Sequence, residues 1–379
     1  VSPLTIDLGV DVQVVDEPTV AAPPTATDTM FLIHTVAGSA SPQTTQVITN
    51  NAQAKATYPN EADIQAISDA FFNIGGGRMI VCPQLAGDAT PAVSAAARIT
   101  PQMGPGQVVV PEVTTATNLT ALRDWCWDNN RILIANPPDG ANVAACQTFQ
   151  AALTDASKSK FTEIEADTIL IPGLAPGTTR DVRASVIKAA LMARSDIATG
   201  NPNLAAAGNH TPGAAGQVGY AVGIKAEHTG AEQDTLAASQ VNCFRTVNGQ
   251  VRAYGDFTAV NLATLPQWWN VSGSRTIMAL RALEQAAAEE LVFGQVAGDG
   301  LFLDRYYGAL AGVCADLQRK GAIYGNDQRP GYSVDVSPAV NPLANIAQGI
   351  VTGSIKVKTS PSAVDLEITI VRRQLTQEV

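Results

Sequence analysis

The sequence predicts a mixed protein, with an α/β layer in the middle and an α+β unit towards the C-terminus. Three observations predict it. Between residues 30 and 200, short apolar runs alternate with stretches of helical periodicity, the order of βαβ units around a largely parallel sheet. From residue 241 onward the order becomes a hairpin, two long amphipathic helices and short strands. Both ends of the chain alternate apolar and polar residues with period two, the mark of a half-buried strand. The 379 residues therefore divide into an N-terminal arm and linker (1–29), an α/β middle domain (30–200), a crossing loop (201–240), a C-terminal two-helix-plus-sheet domain (241–358) and a C-terminal arm (359–379).

The elements follow in order. In LTIDLGVDVQVV, residues 4–15, Ile6, Val10, Val12 and Val14 share one face, with Asp11 and Gln13 on the other. Residues 16–29, with Pro18, Pro23 and Pro24, read as a linker. Met30–Val36 is a buried strand. Residues 38–60 are loop-like with a short helix in AQAKATYP. Glu61–Asn73 puts Ile64, Ile67, Phe71 and Phe72 at helical spacing, and Gly75 to Gly77 stop that helix before the strand Met79–Cys82. Residues 88–100 are an Ala-rich helix. Gln107–Pro111 and Arg131–Ala135 are strands flanking a helix over Thr117–Asn129. Ala141–Thr154 is helical, Thr168–Ile171 a strand, and Thr179–Ala198 a long helix. Ala231–Ala238 is a short helix within the crossing loop. Asn242–Asp256 is a hairpin turning on Asn248-Gly249, the strongest local hairpin signal. Ser274–Phe293 and Leu301–Gly321 are amphipathic helices, the second stopped by Gly321. Gly331–Val336 is a strand and Asn341–Gly349 a loop or short helix. In GSIKVKTSPSAVDLEITIVRR, residues 353–373, Ile355 and Val357 share a face, and beyond Pro361 so do Val364, Leu366, Ile368 and Ile370.

Composition narrows the function classes. The chain is 46% hydrophobic and 15% charged, well under the roughly 25% charge of ordinary soluble domains. So charge-poor a surface suits a subunit that lies against its own copies. The net charge of −10, with no basic cluster beyond Arg372-Arg373, disfavours nucleic acid and anionic membranes. No apolar run reaches the ~18 residues of a membrane helix, and the start VSPLTIDLGVDV lacks the basic and apolar regions of a secretion signal. The five cysteines (Cys82, Cys126, Cys146, Cys243 and Cys314) are scattered in apolar contexts and read as buried, reduced thiols of a chain made in the cytosol.

No catalytic constellation is legible. Gly75-Gly76-Gly77-Arg78 follows a helix and precedes a strand, whereas a phosphate loop needs strand, glycines, helix. His34 sits in an apolar strand and reads as a satisfied core residue; His210 and His228 lie in polar loops and read as solvated. None is spaced for zinc. Glu163 and Glu165 do not distinguish an acid–base pair from a solvated face, and neither do Glu289 and Glu290. Trp268-Trp269 reads as a hydrophobic plug. The chain is therefore expected to be no enzyme and to carry no cofactor and no metal.

With the elements placed, the chain resembles the tail sheath protein of contractile phage tails and related contractile injection systems. The resemblance rests on VNCFRTVNGQVRAYGDFTAV (241–260), SRTIMALRALEQAAAEELVFGQ (274–295), Gly321-Ala322-Ile323-Tyr324-Gly325 after the second long helix, and the closing order in 331–370. Upstream, DAFFNIGGGRMIVCP and QVVVPE…RILIANPPDG are similar to the family's middle layer. The family's Trp and Arg-Thr at the hairpin are replaced here by Tyr254-Gly255-Asp256-Phe257-Thr258.

The resemblance implies a helical homopolymer around an inner tail tube protein, with baseplate and tail terminator as further partners, in a virion tail or phage-like particle made in the bacterial host cytoplasm. It implies arm strands (Ile6, Val10, Val12, Val14; Val364, Leu366, Ile368, Ile370) that add to a neighbour's receiving sheet (Val334, Val336, Ile355, Val357), with hinges at Pro18, Pro23, Pro24 and Pro361. It also implies contraction by subunit rearrangement, driving the tube through a target envelope. Two other classes stand beside it. One is a soluble α/β enzyme with a site near Gly173–Gly177 or Asn201–Gly216; the other is a static shell or surface-layer subunit.

Overall fold

A computed structural model describes residues 27–36, 41–85, 91–112, 116–200, 202–208 and 216–363. Its centre is a six-stranded sheet in the order β2-β3-β1-β4-β5-β6. These strands are β1 (Thr29–Thr35), β2 (Gln46–Ile48), β3 (Arg78–Gln84), β4 (Gln107–Val109), β5 (Ile132–Ala135) and β6 (Thr162–Ile164). All run parallel except the edge strand β2. The near-continuous apolar runs seen in the sequence are explained by burial on both faces. Met30, Leu32, Met79 and Val81 face one core, with the helices α2 (Ala62–Ile74) and α6 (Ala184–Thr199). Phe31, Ile33, Ile80 and Cys82 face the other, under α3 (Pro91–Ala96), α4 (Ala116–Asp128) and α5 (Val143–Leu153). A short helix, α1 (Asn51–Thr57), is capped by Asn50, whose Oδ1 accepts from Gln53 N–H at 2.9 Å. Gly75, at φ +113°, ends α2 in the left-handed conformation that glycine adopts at least cost.

Three parts of the chain differ from the sequence expectation. Residues 46–48 are a strand where loop was expected, and 162–164 are a strand where no element was assigned. Both are three residues long, too short for a period to declare itself. Thr179–Arg183 is the strand β8 rather than the first turn of a helix. It pairs antiparallel with β7 (Thr168–Pro172), and α6 begins at Ala184. A partner distant in sequence decides this segment, overriding its local reading. With β9 (Gly223–Ile224), β7 and β8 form a separate three-stranded antiparallel sheet, so β7 lies outside the parallel layer.

The hairpin of β10 (Cys243–Val247) and β11 (Gln250–Tyr254) forms as expected, with Asn248 and Gly249 at φ +52° and +75°. These are the paired positive angles of a type I′ turn. Phe244, Val251 and Ala253 of the hairpin, and Val271 and Met278 of α8 (Val271–Glu289), complete the core shared with α2 and α6. A helix α7 (Gly230–Ala238) precedes the hairpin with a full capping box of Thr229 and Glu232. Further on, α8 packs on α9 (Leu301–Arg319), where Leu280, Cys314, Leu317, Ala322 and Ile323 make a small third core. Gly321, at φ +77°, closes α9. Two strands, β12 (Tyr332–Asp335) and β13 (Ser354–Val357), flank the one-turn helix α10 (Leu343–Ile346).

Candidate assembly site

The expected receiving sheet is built from β12 and β13, paired antiparallel with Tyr332 opposite Val357 and Val334 opposite Ile355. These four side chains pack on the small core of α8 and α9, while Ser333, Asp335 and Lys356 point to solvent. Val336 falls one residue past β12, half-buried. Among the described residues each strand has the other as its one ladder partner. A two-stranded ladder is marginal alone, and an unpaired edge is a template for another strand.

Two residues unmarked by the sequence reading shape this sheet. The buried side chain of Asn341 closes the β12–β13 connection. Its Oδ1 accepts from Thr352 N–H at 2.6 Å, and its Nδ2 donates to Thr352 O at 2.8 Å and Val336 O at 3.0 Å. Gly353 lies so close to α9 that a Cβ there would meet Leu310 at 2.5 Å and the Tyr306 hydroxyl at 3.1 Å.

Beyond β13 the chain is fixed to the body. Tyr324 N–H donates to Lys358 O at 2.7 Å, Ser360 N–H to Ala322 O at 2.9 Å, and Ser362 Oγ to Asp256 Oδ2 at 3.1 Å. Pro361 lies within this fixed run. The remaining expected site residues (Ile6, Val10, Val12, Val14, Pro18, Pro23, Pro24, Val364, Leu366, Ile368 and Ile370) lie outside the described residues, as does His210.

Asp256 belongs to a buried charge cluster. Lys188 Nζ, on α6, lies 3.1 Å from Glu163 Oε1 and 3.5 Å from Glu165 Oε1, and donates to Gly255 O at 2.9 Å. Burial pushes both glutamates up, Glu165 well above the usual carboxylate range, while the Lys188 charge pulls both back down. Burial alone would lower the Lys188 ammonium, but Glu163, Glu165 and Asp256 together raise it. The solvated-face reading of Glu163 and Glu165 is therefore excluded: both side chains are wholly buried. His228 is likewise not solvated. Its side chain is 11% exposed, and its Nε2 faces Asp167 Oδ1 at 4.0 Å. Asp167, pushed up to about 7 by burial, accepts Phe244 N–H at 2.6 Å. Lys188, the one charged residue in ASVIKAALMA, is a further sequence signal of this cluster beside Glu163 and Glu165.

His34 is a satisfied core residue, with Nδ1 2.6 Å from Thr35 O and Nε2 3.3 Å from Glu112 Oε1. It stands where the strand order reverses between β1 and β4, the usual ligand crevice of doubly wound sheets. Here Thr35 N–H also donates to Glu112, at 2.8 Å, so the protein's own groups meet there. Trp268 packs edge-on against Trp127 and Phe161, as a plug between elements. All five cysteines are free and buried. A groove of about 670 Å³ runs between residues 203–208, α7, the hairpin and residues 360–363. Arg245 within it stacks on Tyr254 and bonds Gln233, and Asp256 is engaged by Ser272 and Ser362. Among the described residues no group of three or more metal-ligating side chains occurs, and no helix is long and apolar enough to cross a membrane.

No family model and no curated protein matches the sequence. Solved structures do match, end to end. A chain of the anti-feeding prophage baseplate, 6-fold symmetrised, superposes with TM-score 0.71 at 16% identity, covering 99% of this chain and 100% of that one. The anti-feeding prophage helical sheath in the contracted state gives 0.69 at 16%, covering 97% and 99%. The PVC sheath complex of an extracellular contractile injection system, also contracted, gives 0.70 at 14%, covering 98% and 99%. A sheath tail protein from Desulfitobacterium hafniense gives 0.55 at 10%, covering 86% and 93%. The chain has the mixed α/β fold of contractile sheath proteins along nearly its whole length, as the sequence resemblance implied.

Proposed function

We propose that this chain is the structural subunit of a contractile tail sheath. Copies polymerise helically around an inner tube, join a baseplate and a terminator at the two ends, and rearrange on contraction to drive the tube through a target envelope. The observation that carries this reading is the near-complete superposition on the helical sheath of the anti-feeding prophage. Among the described residues β12 and β13 each keep one edge without a ladder partner, which supports β-strand addition from neighbouring copies. On this reading Val334, Ile355 and Val357 line the receiving face. The arm residues 6–14 and 364–370 supply the added strands, and Ser362 on Asp256 anchors the described chain just before the C-terminal arm strand. Contraction needs no nucleotide if the extended state is kinetically trapped with less buried interface than the contracted one.

Negative-stain microscopy of the purified chain tests the proposal. Hollow tubes of constant diameter are expected. Closed shells or flat lattices would instead place it among static shell subunits, and discrete small particles that turn over a substrate among enzymes.

A further inference from the structure

The two ends of the described chain, far apart in sequence, are tied to the start of one helix. At the N-terminal root, Thr27 Oγ1 donates to Asp196 Oδ2 at 2.6 Å, and that oxygen also pairs with the guanidinium of Arg275. At the C-terminal root, Ser362 Oγ donates to Asp256 Oδ2 at 3.1 Å, and that oxygen accepts from Ser272 Oγ at 2.5 Å. Ser272 and Arg275 stand three residues apart near the start of α8, hence side by side on the helix surface. Both aspartates are almost wholly buried, Asp196 at 6% and Asp256 at 3% exposed. Asp196 lies on α6, about two turns beyond Lys188, whose charge faces Asp256. Two buried polar rungs thus join α6 to the start of α8, and each holds one end of the described chain, Thr27 or Ser362.

The start of α8 depends on these rungs. Its flanking residue Asn270 makes no side-chain cap. Asp256 satisfies the orphan donors instead: its carbonyl oxygen accepts Val271 N–H at 2.8 Å and its Oδ1 accepts Ser272 N–H at 3.2 Å. A buried network of this kind holds together or fails together, because removing one partner strands the others without water.

We infer that the start of α8 is a mechanical junction between the roots of the two chain ends, so that loosening either root loosens the other through Asp196–Arg275 and Asp256–Ser272. Its use rests on the proposed sheath function, in which a pull on one arm must reach the arm at the opposite end. The junction itself belongs to a single chain and is tested there, so its failure leaves the assembly result untouched.

Because all five native cysteines are buried, Ala363→Cys in the full chain offers one accessible thiol for a spin label beside the C-terminal root. Ser362→Ala cuts the local contact, and the near-isosteric Thr27→Val cuts the remote one. Both substitutions should shift the label spectrum towards its mobile component, with circular dichroism unchanged. Arg275→Lys, which keeps the charge but loses the fork geometry, should do the same. If Thr27→Val and Arg275→Lys leave the label as in the parent while Ser362→Ala mobilises it, the two roots are independent and the junction is refuted. If Ser362→Ala leaves it unchanged, Asp256 does not hold the root, and the junction is refuted as well.

Discussion

Lys188 Nζ lies 3.1 Å from Glu163 Oε1, and neither side chain reaches solvent. The pair joins α6 to β6, at the edge of the central sheet farthest from β2, and through Gly255 O it reaches the end of the hairpin. Removing two charges from water costs several kcal/mol per ion, and good geometry with further hydrogen bonds must offset it. Here Lys188 Nζ also approaches Glu165 Oε1 at 3.5 Å, and Asp256 adds to the carboxylates that raise its ammonium. The role that follows is orientation: the pair fixes where the hairpin, and with it Asp256, stands against the layer.

Lys188→Met should therefore be strongly destabilising, by about 3–5 kcal/mol, because it leaves Glu163 buried without a counter-charge. Urea unfolding followed by fluorescence measures the loss. Adding Glu163→Gln and Glu165→Gln should return much of it, since uncharged groups of similar volume tolerate the site. A loss under about 1 kcal/mol for the single substitution would mean that the cluster is solvated in practice.

Asn341→Ala should act locally. It leaves Thr352 N–H, Thr352 O and Val336 O without their partners, each a loss of about 1 kcal/mol. The β12–β13 connection should open while the central sheet stays closed. Hydrogen exchange is expected to speed up in residues 332–357 and to hold steady in β1, β3 and β4. Uniform acceleration across the chain would contradict a local role.

The legible and illegible parts of this fold separate by range. Helices were readable where three or four apolar residues recurred on one face, as Ile64, Ile67 and Phe71 do in α2. The hairpin was readable because Asn248-Gly249 carries its own backbone geometry. The strand at Thr179–Arg183 was not, because its polar residues make sense only against β7. Nor was the burial of Glu163 and Glu165, which depends on a lysine more than twenty positions away coming over them. Val334, Ile355 and Val357 were readable as one face, since alternation within a strand is local. Asn341 and Gly353, which hold that face in place, were not, because their partners Thr352, Leu310 and Tyr306 meet them only in the folded chain.

Truncation should separate folding from assembly. On the proposed reading, a chain ending at Ala363 keeps Ser360 and Ser362 on Ala322 and Asp256 and should fold with an unchanged urea midpoint. It loses the alternating strand Val364 to Ile370 and should remain unpolymerised under conditions where the full chain forms tubes. Long tubes from the truncated chain, seen by microscopy or sedimentation, would show that strand exchange at this end is dispensable.

Glu284 gives the C-terminal unit a pH dependence with a definite sign. It lies on α8 facing α9, 9% exposed, and accepts the Cys314 thiol at 3.5 Å. Among the described residues its Oε2 has no hydrogen-bond partner. Burial pushes it from 4.5 up to about 7. The groups nearest it are Cys314, pushed up to about 12, and Tyr306, also raised, whose hydroxyl neighbours Gly353; both stay protonated at neutral pH. Because the folded value lies above the unfolded one, the folded state binds the extra proton. The stabilisation is therefore complete below about pH 4.5 and is lost as pH rises through 7. Glu284→Gln mimics the neutral acid at every pH. The variant and the parent should have similar urea midpoints at pH 5, and by pH 8 the variant should be the more stable by on the order of 2 kcal/mol. Asp167 and Asp196, pushed up to about 7 and about 6, weaken both proteins alike over that range, so the difference between the two curves isolates Glu284. A difference that stays constant from pH 5 to pH 8 would place the Glu284 carboxylate in water rather than between the helices.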